Sequence, residues 1–319
     1  MGAEETLKLL RQSSTYVSGE KISSSLKLSR TAVWKHIQSL RAMGYDIKAV
    51  RNRGYLLVDE TAVLSPDKLQ ARLDEAGVPV TIDHTPSLPS TQTKAMRLAA
   101  EGAPAYTVVS ADEQTGGRGR LGRPWSTPFG TALAISIIFR PEMDMREAPT
   151  ATLTAAAAVA EALEEMNFRP QIKWPNDILL NGKKVCGILT EMQGEASRVS
   201  SLVMGIGINV NTEQFPEQLQ EIATSLAIVR GAPVSREETA FHLLAELYER
   251  MIQFQLDGFQ AVRPLWEKHA LSYTKPVTVV QNRQRVTGIM KGIETDGTLL
   301  LEAEDGTVHS IVSGDIEGI

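Results

Sequence analysis

The sequence predicts an α+β chain of several domains: a small helical module ending in a hairpin, a mixed α/β centre and an all-β tail. Three observations carry this. Helical apolar spacing fills most of residues 1–62 and gives way to two short β-like runs around Asn52-Arg53-Gly54. Strand-like and helix-like runs then alternate to about residue 270. Beyond about residue 273, short β-like runs are divided by turn signals. The expected domains are 1–65, 66–271 and 272–319, and 319 residues suffice for them.

The net charge of -5 argues against a chain that coats nucleic acid over its whole surface. The charge is uneven: residues 1–62 carry roughly +4 and the remainder roughly -9, a basic module on an acidic body. The single cysteine, Cys186, excludes an intrachain disulfide framework, and its apolar neighbours mark it as a small buried side chain. No charged and then apolar leader is evident, and the apolar run 132–139 is too short to cross a bilayer. A cytoplasmic protein with no membrane partner is expected.

In the first module, Leu7 and Leu10 share a helical face, Ser18 is a candidate N-cap, and Ile22 and Leu26 are spaced i, i+4. Ser29 caps a further helix with Val33, Ile37 and Leu40 on one side and Gly44 at its end. Helix, turn, helix and hairpin form the pattern of a winged helix-turn-helix. The face opposite the apolar stripe offers Arg30, Thr31, Trp34, Lys35 and Gln38, which suit base edges and phosphates in a major groove. Arg51 and Arg53 sit at the hairpin tip, within reach of adjacent backbone. Trp34 is the open question, because a large aromatic more often belongs to a core.

In the centre, Pro66 and Gly77 bracket a helix. Strands are expected at 105–112, 131–139, 170–175, 183–192 and 200–210, and helices at 90–102, 150–166 and 235–254. Ser235 and Glu238 have capping-box spacing, and the alanine-rich helix would let backbone approach a sheet closely. The tail, with its "TDG" and "EDG" turns, reads as a small barrel of roughly 45 residues.

The stretch "TGGRGRLGRPW" (115–125) matches the dinucleotide regex, but Pro124 and Pro128 follow and leave no room for the helix that a pyrophosphate site needs. What remains is a mobile cationic loop. Its glycines let amides approach an anion, its arginines offer fork-shaped donors, and binding would order it. Ser90 and Thr91 stand at a helix start. "KWPND" (173–177) places Lys173, Asn176 and Asp177 in a proline turn, and "NGKKVCGIL" brings in Lys183 and Lys184. In "GIGINVN" (205–211) Gly205, Gly207 and Asn209 fall on one side of a strand, where a flat ring could lie on bare backbone.

These motifs, in this order, resemble the biotin–protein ligase family, and the resemblance covers essentially the whole chain. It implies a central domain like those of class II aminoacyl-tRNA synthetases and biotin ligases, and an SH3-like C-terminal barrel. The three-part layout looks like the bifunctional bacterial form, both ligase and repressor of the biotin operon. The resemblance implies that biotin and ATP give biotinyl-5′-AMP, which passes biotin to a lysine of the biotin carboxyl carrier protein of acetyl-CoA carboxylase and also serves as corepressor. It implies that Arg118, Arg120 and Lys184 hold the carboxylate and α-phosphate, and that Ser90, Thr91 and Gln114 bind the ureido ring. Gly117 to Gly119 would cover the biotin and Gly187 would line its slot. Arg123, Trp125 and Asn209 would contact the adenylate, Asn176 the phosphates, and Asp177 the incoming lysine amine. Mg²⁺ would arrive on ATP near Asn176 and not at a fixed protein site. Many members have Asp-Ser-Thr-Asn where this chain has Pro89-Ser90-Thr91-Gln92, so Gln92 takes no role from the resemblance. A ligand-bound homodimer on operator DNA is expected, joined at a sheet edge near Ser197 to Val203. The alternatives are a lipoate–protein ligase and a ligand-sensing repressor without ligase activity.

Overall fold

The computed structural model of the protein describes residues 2–60, 62–195, 198–271, 275–281 and 284–317. The first module contains α1 (Gly2–Arg11), α2 (Gly19–Leu26), α3 (Arg30–Ala42), β1 (Asp46–Val50) and β2 (Gly54–Asp59). Ser18 and Ser29 cap α2 and α3, accepting from the N–H groups of Lys21 and Ala32 at 3.1 Å each. Leu7, Leu10, Ile22, Val33, Ile37 and Leu40 close a core of their own. The β1–β2 hairpin docks through Gly54, whose φ is +106°. A Cβ there would come 2.0 Å from the Val17 carbonyl oxygen, so glycine is required.

After α4 (Pro66–Glu75) comes a sheet ordered β3-β4-β5-β9-β8-β7-β6. Its strands are β3 (Thr81–Leu88), β4 (Thr107–Gln114), β5 (Ala132–Phe139), β6 (Gln171–Lys173), β7 (Asp177–Leu180), β8 (Lys183–Glu195) and β9 (Arg198–Asn209). β3 runs parallel to β4 and the other pairings are antiparallel. Helices are α5 (Thr91–Ala100), α6 (Ala148–Glu165), α7 (Leu226–Arg230), α8 (Arg236–Asp257) and α9 (Phe259–His269). The central strands are buried on both faces. Ile138, Val109 and Val203 pack with α5, while Ile137, Val108 and Leu202 join the larger core on the other side. That two-sided burial is why β5 reads as one continuous apolar run. The alanines of α6 are buried in the larger core, as the close approach predicted from sequence requires.

The expected elements recur with shifted ends, and β3, β7 and α9 add to them. Two further expectations are corrected. Ser235 accepts from the Glu238 N–H at 3.1 Å, but the Glu238 carboxylate goes to Arg72, at 2.8 and 3.1 Å, instead of closing a capping box. The supposed free edge near Ser197 to Val203 is also absent. Ser197 lies outside the described residues, Leu202 and Val203 lie between β5 and β8, and Val199 donates to the Met143 carbonyl at 3.1 Å. The strands that end the sheet order are β3 and β6.

The tail is a five-stranded antiparallel, SH3-like sheet ordered β13-β12-β11-β10-β14. The strands are β10 (Pro276–Gln281), β11 (Gln284–Ile293), β12 (Leu299–Glu302), β13 (Val308–Ile311) and β14 (Asp315–Glu317). Gly297 and Gly306 take φ of +84° and +82° in its turns. The expected boundary at 271/272 adjoins residues 272–274, which lie outside the described residues. One apolar cluster runs from Leu64 through the centre to Ile316. Among the described residues, no helix is long and apolar enough to cross a membrane.

Candidate active site

The cationic loop leaves β4 at Gln114 and returns toward β5, and no dinucleotide-type helix follows it. The structureless loop expected from its glycines is instead a closed hairpin. Trp125 N donates to Gly117 O at 2.9 Å and Gly119 N to Arg123 O at 2.8 Å. Leu121, at the tip, has φ 56° and is 81% exposed. Acids from other strands offset the repulsion among the arginines. Arg118 makes a two-pronged bond to Glu191 of β8, both contacts at 3.0 Å. Arg123 Nη2 lies 2.8 Å from Asp315 Oδ2, and Arg120 Nη1 lies 3.4 Å from Asp315 Oδ1. Arg120 also donates to Asn176 Oδ1 at 2.8 Å. These pairs are partly exposed, so each holds the loop only weakly.

Beneath the hairpin lies a floor of small residues. Gly187 of β8 is in register with Gly207 of β9 and with Asp177 of β7. The Trp125 indole lies on this floor: a Cβ at Gly207 would come 2.5 Å from Trp125 Nε1, and one at Gly187 3.4 Å from Cζ3. Gly205 lies under Gln92, whose Oε1 would be 2.5 Å from a Cβ there. The bare backbone expected to take a ligand ring is therefore roofed by Trp125 and Gln92. Lys184 Nζ stands 5.7 Å from the Trp125 ring centroid and 2.6 Å from Asp177 Oδ1. Asn176 is buried and donates to Ile188 O at 2.8 Å. Burial lowers the pKa of Lys173, against the pull of Asp177 and with the push of Lys184.

A second cluster lies where α5 begins. Ser90 caps the helix, accepting from Thr93 N at 3.4 Å. Gln114 Oε1 accepts from Thr91 N at 2.8 Å and lies 3.1 Å from Thr91 Oγ1, while its Nε2 donates to Thr127 Oγ1 at 3.1 Å. Ser136 Oγ lies 2.9 Å from Thr91 Oγ1 and 3.1 Å from Gln92 Oε1.

The structure thus gathers Arg120, Trp125, Asn176, Asp177, Lys184 and Gly187, and links Thr91 to Gln114. It does not bring every expected residue to one point. Arg118 and Arg123 turn to Glu191 and Asp315, and Asn209 donates to Thr224 O at 3.1 Å.

Residues 85–209 match the Biotin/lipoate A/B protein ligase family, residues 3–56 an HTH domain, and residues 275–317 the Biotin protein ligase C terminal domain. The bifunctional ligase/repressor BirA of Bacillus subtilis (strain 168) is 42% identical over 305 residues, covering 95% of this chain and 94% of its own. The chain belongs to the biotin protein ligase family. The bifunctional ligase/repressor BirA of Escherichia coli (strain K12) is 31% identical over 300 residues, covering 94% of this chain and 92% of its own. The solved biotin protein ligase from Aquifex aeolicus in complex with biotin and ATP superposes with a TM-score of 0.65 at 30% identity, over 74% of this chain and 97% of its own.

In this ligase, sequence reasoning missed Glu191, Asp315, Ser136 and the placement of Gln92. None sits in a motif, and only the fold brings them to the loop or to Thr91. Trp34, left open by the sequence, is 53% exposed on α3, beside exposed Arg30, Thr31 and Lys35 and half-buried Gln38. Arg51 and Arg53 are exposed between β1 and β2, with Arg53 4.6 Å over the Tyr16 ring. Burial raises the pKa of the Cys186 thiol, as suits an inert core residue. Among the described residues, the one group of potential metal ligands is Glu161, Glu164 and His269 on α6 and α9, where Lys268 Nζ lies 3.0 Å from Glu161. The residues around Lys184 are not such a group, which suits a cation delivered on a nucleotide.

Proposed function

We propose that the protein activates biotin with ATP, transfers it to one lysine of the biotin carboxyl carrier protein of acetyl-CoA carboxylase, and represses the biotin operon when it holds the activated intermediate. The observation that carries the ligase reading is Lys184 Nζ beside Asp177 and Trp125, with Arg120 bonded to the adjoining Asn176. A biotin carboxylate oxygen attacks the α-phosphorus of MgATP, the bond to pyrophosphate breaks, and biotinyl-5′-AMP remains. The carrier lysine amine then attacks the acyl carbon, an amide forms, and AMP leaves.

The first step joins two anions, so it needs cations. Lys184 and Arg120 supply them from the protein, and Mg²⁺ comes with the nucleotide as part of the substrate. Arg120 must exchange Asn176 and Asp315 for phosphate or carboxylate oxygens, which frees Asn176 Oδ1 to face the incoming nucleotide. Arg118 is held by Glu191, so its backbone and those of Gly117 and Gly119 line the biotin while its guanidinium anchors the hairpin. Ser90, Thr91 and Gln114 take the ureido ring, Gly187 the slot beside it, and Trp125, Asn209 and Arg123 the nucleotide side. Asp177 orients or deprotonates the amine once Lys184 has turned to the phosphate.

The exposed face of α3 and the arginines at the hairpin tip support operator binding by a cytoplasmic homodimer formed when the intermediate orders the loop. The test is incubation with biotin, MgATP and a carrier domain, followed by mass measurement of the carrier. A gain of one biotinyl group with release of AMP is expected. A carrier left unmodified by biotin, or modified by lipoate instead, removes the reading.

A further inference from the structure

We propose that Gln92 and Ser136 fix the direction of the Thr91 hydroxyl proton, and so make Thr91 and Gln114 paired acceptors for the ring N–H groups of the bound acid. This rests on the biotin reading above. Gln92 is 3% exposed and Ser136 fully buried.

Two amides set the polarity. The Thr91 N–H lies 2.8 Å from one end of the Gln114 amide, so that end is the oxygen. The far end of Gln92 lies 3.1 Å from the Val203 carbonyl, so that end is the nitrogen, and its oxygen faces Ser136. Gly205 makes this placement possible, because a Cβ there would collide with Gln92 Oε1 at 2.5 Å.

Ser136 has one proton and two neighbours, Gln92 Oε1 at 3.1 Å and Thr91 Oγ1 at 2.9 Å. Gln92 Oε1 cannot donate. Sending the Ser136 proton to Thr91 would leave that buried oxygen without a donor, which folded proteins avoid. The proton therefore goes to Gln92, and Thr91 must use its own proton to bridge to Ser136. Thr91 Oγ1 is then left with lone pairs and no proton for a ligand. Gln114 Oε1, 3.1 Å away, keeps only its bond from the Thr91 backbone N–H. Two acceptors stand side by side. A cyclic urea has N–H groups to meet them and a dithiolane has none, so the pair favours a urea ring over its sulfur-ring counterpart.

The experiment uses the full chain with biotin, MgATP and carrier domain, and compares Ser136→Ala, Gln92→Leu and the conservative Ser136→Thr. In Ser136→Ala the Thr91 proton turns toward Gln114. In Gln92→Leu the Ser136 proton is released to Thr91. Both should raise the KM for biotin about tenfold, with kcat and the KM for ATP within about twofold. Ser136→Thr keeps the hydroxyl and should restore the wild-type KM. Should Gln92→Leu fold poorly in a thermal melt, Ser136→Ala, which deletes one oxygen, decides alone, with the biotin Kd by calorimetry as second readout. A wild-type KM for biotin in the folded variants overturns the polarity, as does a Ser136→Thr protein no better than Ser136→Ala. A wild-type protein that does not attach biotin at all overturns the biotin reading, and the proposal with it.

Discussion

Asp315 Oδ2 lies 2.8 Å from Arg123 Nη2, a bond between the last strand of the tail and the hairpin 192 positions earlier. Asp315 also faces Arg120, so one carboxylate of the C-terminal sheet holds two cations of the site. Asp315→Asn should loosen the ligand-free hairpin. Trypsin, which can cut after Arg118 and Arg120 but not before Pro124, should cleave the variant several-fold faster. Biotin with MgATP should restore protection. Equal cleavage of both proteins would mean that Asp315 does not hold the loop.

The 2.6 Å approach of Asp177 to Lys184 divides the two half-reactions. Lys184→Met should slow biotin-dependent pyrophosphate release by about 10²–10³, the usual loss for one preorganised donor. Asp177→Asn should leave that release within about threefold and slow transfer to the carrier by about 10²-fold, the lower range for a general base. Chemical quench separates the steps. A defect of Asp177→Asn confined to pyrophosphate release would reverse the assignment.

Trp34 is exposed on the α3 face, away from the buried Val33, Ile37 and Leu40. Trp34→Ala should therefore leave stability within about 0.5 kcal/mol and ligation unchanged. Operator affinity, measured by gel shift with the intermediate bound, should fall at least about tenfold. Loss of the melting transition together with DNA binding would instead make Trp34 a core residue.

Arg236 is fully buried and bonds Asp112 Oδ1 at 2.7 Å, the Ala62 carbonyl at 2.7 Å and the Ala132 carbonyl at 2.9 Å. Burial raises the Asp112 pKa, but His84 and Arg236 outweigh it and hold the carboxyl below its usual range. A depressed carboxylate stabilises the fold above its unfolded pKa, and that share is lost as pH falls through the folded value. Melting temperature should thus drop as pH falls below about 4. Asp112→Asn should be destabilised at neutral pH by about 3–5 kcal/mol, since Arg236 is left without its counter-charge, and should respond less to acid. A wild-type acid profile in the variant would place the sensitivity elsewhere.

Much of this was legible in the chain because local signals agreed with the fold. Ser29 capped a helix with a clear apolar stripe, and β5 was an unbroken apolar run. β3 was hidden because it ends the sheet order and is largely exposed, with Pro86 within it. β7 is only Asp177–Leu180, masked by the proline turn before it, and α9 carries Pro264 inside. At the site, Arg120, Asn176, Asp177 and Lys184 stood out through their motifs. Glu191 and Asp315 did not, because a lone acid in a strand has no local signature and its arginine lies far away in sequence.

Because Leu64 and Ile316 belong to one continuous interior, the C-terminal sheet is less an appendage than the outer wall of the enzyme. A chain cut before Pro276 would bare greasy surface on α6 and α9 and tend to clump. The amino-terminal reader, sealed around Ile22 and Ile37, could be severed and still stand.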